Sequence, residues 1–114
     1  MMGTFNTKLV GVTQKESNGT DRQSLIASKV FKGQPLILKR EPDNPHHSNA
    51  ISAWIQVKPW FRKAQSHQLG YISADVASRL SQDMDRGADV VATVKEVTGG
   101  GSKRSLGVNV VIKV

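Results

Sequence analysis

The chain has 114 residues, which is enough for one domain with a buried core and too few for two. It contains no cysteine, so disulfide scaffolds, thiolate nucleophiles and cysteine-ligated metal centres are excluded. Sixteen lysines and arginines against nine aspartates and glutamates give a net charge of +7, which attracts polyanions. Most of the basic excess lies before residue 75. Nucleic acid is therefore the first partner to test, and an acidic protein surface is the alternative.

Membrane insertion and secretion are not expected. No apolar run approaches the roughly 20 residues that a membrane-spanning helix needs. The first six residues, MMGTFN, contain no basic segment followed by an apolar one, so they do not resemble a secretion signal. We therefore predict an intracellular protein with no membrane partner, cytoplasmic in general and associated with the nucleoid if its source is bacterial.

The hydrophobic pattern predicts short strands along most of the chain. Candidate strands with alternating or β-branched residues cover 8–12, 36–40, 49–57, 67–72, 90–97 and 106–114. A weaker alternation covers 25–31, after a polar segment over 13–22 that is predicted to be a loop. About six strands of this length with one helix predict a mostly β fold, a small and partly open β-barrel.

The one main helix is predicted over about residues 73–86. Ser73 is the predicted N-cap, because its hydroxyl can accept a hydrogen bond from a free N–H group of the first turn. Asp75 lies at the positive end of the helix dipole, and Gly87 permits a left-handed exit. A single apolar stripe, typical of a helix packed on a core, is formed by Val76, Ala77, Leu80 and Met84.

The most informative segment is LKREPDNPHHSNAI, over residues 38–51. Its two prolines fix two φ angles, and the Asp-Asn pair between them favours turns. These features predict a rigid loop between two strands that displays Arg40, Asn44, His46 and His47. Such a loop suits ligand recognition, although a well-ordered hairpin without a ligand has the same features.

At these residues the chain resembles the HIRAN domain, a module fused to chromatin and fork-remodelling helicases and found also as short stand-alone bacterial proteins. The resemblance covers about two-thirds of the chain and rests on LVGV at 9–12, LKREPDNP at 38–45 with NAI at 49–51, and LGYI at 69–72. It implies a single domain over 1–114 with an OB-like β-barrel and accessory helices. It also implies DNA binding, which in the eukaryotic helicase members is directed to the 3′ end of a single strand.

The resemblance assigns DNA contacts to several positions of this chain. Asn44 matches the family, and Tyr71 stands where a hydroxyl can contact phosphate. His46 and His47 replace an aromatic residue that packs on the terminal base and an acid that bonds the 3′-hydroxyl, and residues 13–14 replace an Arg-Tyr pair. An imidazole can stack, more weakly than tyrosine, and when neutral it keeps one acceptor nitrogen but is not a carboxylate.

Basic and aromatic residues in other loops are further candidates for contact with DNA. The segment KPWFRK at 58–63 combines cations with aromatic rings, as single-strand binders do, because bases stack on the rings and cations follow the phosphates. The alternative is that the aromatic residues fill the core and the cations solvate the loops. The candidate contacts in these loops are Lys15, Trp60, Arg62, Lys63, Lys103 and Arg104.

No combination of residues predicts catalysis or a metal site. Adjacent histidines on an extended segment point to opposite sides and chelate poorly. The sequence also has no Gly-x-Ser-x-Gly elbow and no phosphate-binding glycine loop followed by a helix. We therefore predict a non-enzymatic protein that requires no cofactor.

The predicted function is a DNA-binding module for single-stranded DNA or DNA ends. It would act as an accessory or targeting domain in DNA repair or replication, with a helicase or nuclease supplied in trans. The alternatives are a protein-interaction module of the same fold that docks an acidic partner and, third, a metal-dependent nuclease. A preference for single-stranded over duplex DNA distinguishes the first from the second, since stacking requires unpaired bases.

Overall fold

The computed structural model describes residues 3–14, 21–58, 63–100 and 105–114. Within them the chain forms β1 (Thr4–Lys8), α1 (Arg22–Lys29), β2 (Pro35–Arg40), β3 (Ile51–Val57), β4 (Gln65–Tyr71), α2 (Ala74–Asp85), β5 (Val91–Thr98) and β6 (Gly107–Lys113). The strands make one antiparallel sheet in the order β1-β6-β5-β2-β3-β4. The prediction of a mostly β fold is confirmed.

Among the described residues, the two edges of this sheet meet at one backbone pair. Just beyond β1, the N–H of Val10 donates to the carbonyl of Tyr71 at 2.8 Å, and the N–H of Tyr71 donates back at 2.9 Å. Gly70 makes the approach possible, because a Cβ at this position would clash with the Val10 carbonyl oxygen. The sheet thereby curls into the small OB-like barrel that the sequence predicts.

The hydrophobic core fills the inside of the barrel. On β6 the residues Val108, Val110 and Ile112 are fully buried, and they alternate with residues that face outward. Full burial of each such side chain contributes about 1.5–3 kcal/mol. Other strands and both helices contribute the largest remaining fully buried side chains, which are Ile26, Ile51, Ile55, Leu69, Leu80 and Val94.

Helix α2 forms where the apolar stripe predicts it. Ala77 and Leu80 are buried, while Val76 and Met84 pack against the core from its edge. The helix ends at Gly87, which has a φ of 85° and thus provides the predicted left-handed exit.

The predicted capping role of Ser73 is wrong, although its position is right. Ser73 precedes the first residue of α2, but its side chain makes no capping hydrogen bond. Its hydroxyl instead pairs with the hydroxyl of Thr7 at 2.9 Å, which ties the start of α2 to β1. The serine is therefore used for a tertiary contact between two elements.

Two local predictions are corrected by the structure. The weak alternation over 25–31 is mostly helical, because α1 covers Arg22–Lys29 and Asp21 caps it by accepting from the N–H of Gln23 at 3.0 Å. The first strand lies earlier than 8–12, because β1 begins at Thr4 and pairs with β6 along its length. An eight-residue helix is too short to display a clear 3.6-residue period, which is why the sequence pattern did not reveal it.

Candidate nucleic-acid interface

The loop between β2 and β3 is closed by its own backbone. The N–H of Glu41 donates to the carbonyl of Ala50 at 2.9 Å, and the N–H of Ala50 donates to the carbonyl of His47 at 3.1 Å. Between them, the N–H of Asn44 donates to the carbonyl of Glu41 at 3.0 Å. These bonds fix the loop, hereafter the 41–50 loop, as the proline and Asp-Asn pattern predicts.

Arg40 holds this loop against the end of α2. Its Nε and Nη2 atoms donate to the two carboxylate oxygens of Asp85 at 2.9 and 3.2 Å. Its Nη1 donates to the carbonyl oxygens of Ser48 and Ala50 at 3.2 and 3.0 Å. The hydrogen bond from Arg40 keeps the pKa of the exposed Asp85 carboxyl below its usual value. The guanidinium thus braces the loop from one side.

Glu41 joins the loop to the barrel. Its Oε1 accepts from the hydroxyl of Tyr71 at 2.9 Å and from Nδ2 of Asn44 at 3.1 Å. Partial burial by itself would raise the pKa of Glu41. The hydrogen bonds from Asn44, Ser52 and Tyr71, together with the charge of Arg22, bring the pKa below its usual value. Glu41 was not among the predicted site residues, because its only signal in the sequence is its place in the Arg-Glu-Pro block.

The two histidines have different surroundings in the loop. His46 is exposed, and its backbone N–H donates to Oδ1 of Asn44 at 2.9 Å. His47 is half-buried, and its Nδ1 accepts from the backbone N–H of Asn49 at 3.2 Å. Accepting at Nδ1 assigns the proton of the neutral imidazole to Nε2. The acceptor nitrogen that a neutral imidazole offers is therefore already used within the loop.

A pocket of about 410 Å³ opens between the 41–50 loop, the barrel seam at Val10–Tyr71 and the first turn of α2. Its floor is apolar and its rim carries amide, imidazole and hydroxyl groups, which is the usual character of a ligand site. A wider groove along the outside of the loop shares Asn44, His46 and Tyr71 with it. The pocket is lined by Val10, Gly11, Gln14, Asn44, His46, His47, Ala50, Tyr71, Ile72, Ala74 and Ala77.

The structure brings four of the predicted site residues together at this pocket. They are Asn44, His46, His47 and Tyr71, and Arg40 lies behind the loop that carries the first three. Lys63 is exposed and precedes β4 at the end opposite Tyr71, so the strand separates the two by roughly 20 Å. The other predicted contacts lie outside the described residues: Lys15, Trp60, Arg62, Lys103 and Arg104.

The apolar part of the pocket was not selected from the sequence. Val10 and Gly11 belong to the LVGV block, and Ile72 to the LGYI block, so the blocks marked the right segments without showing that they meet. Ala74 and Ala77 carry no signal beyond their place on α2. Only the pairing of the two sheet edges brings these segments into one site.

The family model for the HIRAN domain matches residues 2–114. The chain belongs to the HIRAN family. HIRAN domains are known as DNA-binding modules rather than catalytic domains. A comparison with curated protein sequences gives no significant match.

Two solved structures share the HIRAN fold of this chain. The crystal structure of the HIRAN domain of human HLTF matches with a TM-score of 0.61 and 18% identity, covering 97% of this chain and 75% of that one. A protein from Lactobacillus plantarum matches with a TM-score of 0.64 and 20% identity, covering 99% and 98%. At these identities the likeness extends to the fold.

The described part of this HIRAN domain has neither a metal-binding cluster nor a membrane-spanning helix. Within residues 3–14, 21–58, 63–100 and 105–114, no group of three or more His, Cys, Asp or Glu side chains is placed to hold a metal ion. Over the same ranges, no helix has the length and apolar character needed to cross a membrane.

Proposed function

We propose that this HIRAN domain binds single-stranded DNA, or a single-stranded DNA end, in the pocket beside Tyr71. It acts as one accessory or targeting domain in DNA repair or replication and delivers a helicase or nuclease supplied in trans. The observation that carries the proposal is the pocket itself, which has an apolar floor and a polar rim and is set in a strongly basic domain.

The chemistry of the pocket matches the parts of a nucleotide. An unpaired base or a sugar can pack on the apolar floor formed by Val10, Ile72 and Ala77. His46 is exposed at the rim, where its ring can stack on a base. Nε2–H of His47 is a hydrogen-bond donor, and phosphate oxygens accept from such donors.

The loop is built before any ligand arrives. Glu41, Arg40 and the backbone bonds of the 41–50 loop already hold the rim in place. A rigid site loses little conformational entropy on binding, so more of the contact energy contributes to affinity. In this proposal Arg40 and Asn44 act mainly by positioning the loop.

Basic residues elsewhere in the sequence supply electrostatic attraction along the bound DNA strand. Lys63 is exposed near the loop between β3 and β4. Phosphates that pass such cations release counterions, so binding should weaken as the salt concentration rises. The proposed contacts of this kind are Lys15, Arg62, Lys63, Lys103 and Arg104, with Trp60 as a stacking residue.

Fluorescence anisotropy on matched oligonucleotides tests the proposal. We expect dT12 to bind at least tenfold more tightly than a hairpin duplex of the same charge, because the pocket admits only unpaired bases. Ala74→Trp fills the pocket from an exposed position on α2, and it should weaken dT12 binding at least tenfold. Ala88→Trp, at an exposed position beyond α2, is the matched control and should bind as the wild type does.

One observation favours the second candidate, a protein-interaction module for an acidic partner. Phe31 and Val91 are 61% and 60% exposed, and neither lines the pocket. Large exposed apolar side chains occur at protein interfaces. Equal affinity for duplex and single-stranded DNA, unchanged in Ala74→Trp, would favour this candidate over the first.

A further inference from the structure

A second groove lies on the outer surface of the barrel, across β1, β6 and β5. It has a volume of about 280 Å³ and is lined by Asn6, Thr7, Lys8, Lys95, Asn109 and Val110. Among these described residues there are two ammonium groups, two amide groups and no carboxylate. Such a set of donors suits phosphate oxygens.

The strand register explains why polar groups gather on this face. On β1 the side chains of Asn6 and Lys8 are exposed, whereas Thr7 turns inward to meet the hydroxyl of Ser73. Lys8 lies opposite Asn109 in the pairing of β1 with β6. Residues opposite each other on one face of a sheet lie within contact distance, so Lys8 and Asn109 share this side of the groove.

A β-bulge brings the second lysine to the same place. Val94 pairs with Val110 and Glu96 pairs with Asn109, so the register of β5 against β6 skips Lys95. A bulge of this kind re-aims the side chain of the extra residue. Lys95 is exposed and lines the groove together with Lys8.

A carboxylate neighbours the groove, but it is already bound. Oε1 of Glu96 accepts from Nδ2 of Asn109 at 2.9 Å. The charge of Glu96 reduces the local potential of the two lysines without cancelling it. The amide oxygen and the second amide hydrogen of Asn109 are not used in this bond.

The groove adjoins the pocket along β1. Val10 lies two residues beyond Lys8 on the same outward face, is 47% exposed and lines the pocket. Two residues of extended chain span about 7 Å. Val10 of the pocket lining and Lys8 of the groove lining are therefore close neighbours along this segment.

We propose that this groove holds the phosphate backbone of the strand whose unpaired base occupies the pocket. One single strand runs from the pocket across Val10 and places its phosphates between Lys8 and Lys95. The inference rests on the proposed function of the pocket and adds a second contact site to it. The ligand class is a polynucleotide backbone, read through its charge and without base specificity.

The salt dependence of binding tests this groove at pH 8, above the usual titration range of imidazole. Each phosphate contact on a single strand adds about 0.7 to the slope of log K against log salt. Lys8→Ala/Lys95→Ala should therefore lower the slope for dT12 by about 1.4. The ratio of wild-type to variant affinity should shrink about sevenfold between 50 and 200 mM KCl. Lys29→Ala/Arg86→Ala removes two exposed cations from helix ends and should leave the slope unchanged.

Each outcome supports or overturns phosphate binding in the groove. No binding of dT12 by the wild type rejects the proposed function itself. A second outcome is that Ala74→Trp loses binding while Lys8→Ala/Lys95→Ala has the same salt slope as its control. That result rejects the proposed role of the groove and supports that of the pocket. If the double variant does not fold, NMR of the wild type decides, because dT12 should shift the side-chain amide signals of Asn6 and Asn109. Unshifted signals, or equal affinity for polyglutamate and dT12, would overturn the inference.

Discussion

Tyr71 donates its hydroxyl to Oε1 of Glu41 at 2.9 Å, across 30 positions of sequence. The backbone of the same tyrosine pairs with Val10 and joins the two edges of the sheet. One residue thus fixes both the barrel seam and the 41–50 loop. The pocket lies between these two features, so its shape depends on the stability of both.

The ionised form of Glu41 should stabilise the fold. Its folded-state pKa lies below the ordinary value of 4.5, so the contribution is present above about pH 4.5 and is lost as the pH falls through the folded-state pKa. Glu41→Gln should lower the free energy of unfolding by about 1–2 kcal/mol at pH 7, because hydrogen bonds to a charged group contribute energies of this order. The difference from wild type should shrink as the pH is lowered to 3.

Urea unfolding at a series of pH values measures this effect. Asp43→Asn is the matched control, because Asp43 is an exposed carboxylate of the same loop. That variant should follow the wild-type stability at pH 7 within about 0.5 kcal/mol. A difference between Glu41→Gln and wild type that grows towards acid pH would contradict the sign of the shift.

Gly70→Ala should weaken the seam of the barrel. The new Cβ would clash with the Val10 carbonyl oxygen, and relief of that clash requires the two backbones to move apart. We expect a loss of about 1–3 kcal/mol, as for other overpacked sites. Hydrogen exchange should accelerate at the amides of Val10 and Tyr71, which bond across the seam.

Gly3→Ala is the control for this substitution, because a Cβ there meets no atom within 4 Å. Its melting temperature and the hydrogen-exchange rates of its Val10 and Tyr71 amides should match those of the wild type. Equal protection of the Val10 and Tyr71 amides in Gly70→Ala would show that the seam tolerates the methyl group.

Five of the six strands and α2 were predictable because their signals are local. A period of two marks the strand at 49–57, and a 3.6-residue stripe marks α2, whichever elements they pack against. Helix α1 was not predictable in this way, since many of the contacts that stabilise it are to residues distant in sequence. Gln23, for example, bonds the backbone of Val12 and Leu106.

Local patterns predicted the site only within the 41–50 loop, whereas Tyr71 was predicted from the family resemblance. The proline-rich block identified Asn44, His46 and His47 because their loop is contiguous in sequence. The pocket floor depends on the Val10–Tyr71 pairing, which no local pattern specifies. A distant contact also decides the role of Ser73. Its hydroxyl pairs with the hydroxyl of Thr7 and therefore does not cap α2 as the sequence predicts.

Arg40→Lys separates bracing from direct attraction to phosphate. Lysine keeps the charge but lacks the planar fork that reaches Asp85 and two carbonyl groups together. If Arg40 braces the loop, the variant should lose about 1–2 kcal/mol of stability and bind dT12 more weakly with an unchanged salt slope. A stable variant with wild-type affinity would show that the planar fork of Arg40 is not needed to brace the loop. Urea unfolding measures the stability, and anisotropy titrations at several salt concentrations measure the affinity and the salt slope.

Trp60→Ala tests the aromatic loop that sequence analysis assigned to base stacking. Removal of a stacking ring should weaken single-stranded DNA binding by about 1–3 kcal/mol without unfolding the domain. Trp54→Ala serves as the contrast, because Trp54 is half-buried on β3 and donates its indole N–H to Ser52. That variant should lose stability. A lower melting temperature with unchanged affinity in Trp60→Ala would show instead that Trp60 fills the core.

The chemical group at the 3′ end of the bound DNA should have little effect on the affinity of the wild-type protein. Nδ1 of His47 is occupied by the N–H of Asn49, so the imidazole presents a donor to the pocket and offers no acceptor for a 3′-hydroxyl. Oligonucleotides that end in a 3′-hydroxyl or a 3′-phosphate should therefore bind within about threefold of each other, a difference under 1 kcal/mol. Anisotropy at pH 7.5 measures this ratio.

His47→Asp should convert the pocket into one that distinguishes the two ends. Aspartate can accept from the N–H of Asn49 as histidine does, because Asp favours this local turn, so the loop should keep its shape. Its second oxygen can then accept from a 3′-hydroxyl and repels a 3′-phosphate. We expect a preference of about tenfold or more for the hydroxyl, or about 1.4 kcal/mol. A wild-type protein that already discriminates tenfold against the 3′-phosphate would show that another group of the pocket reads the hydroxyl.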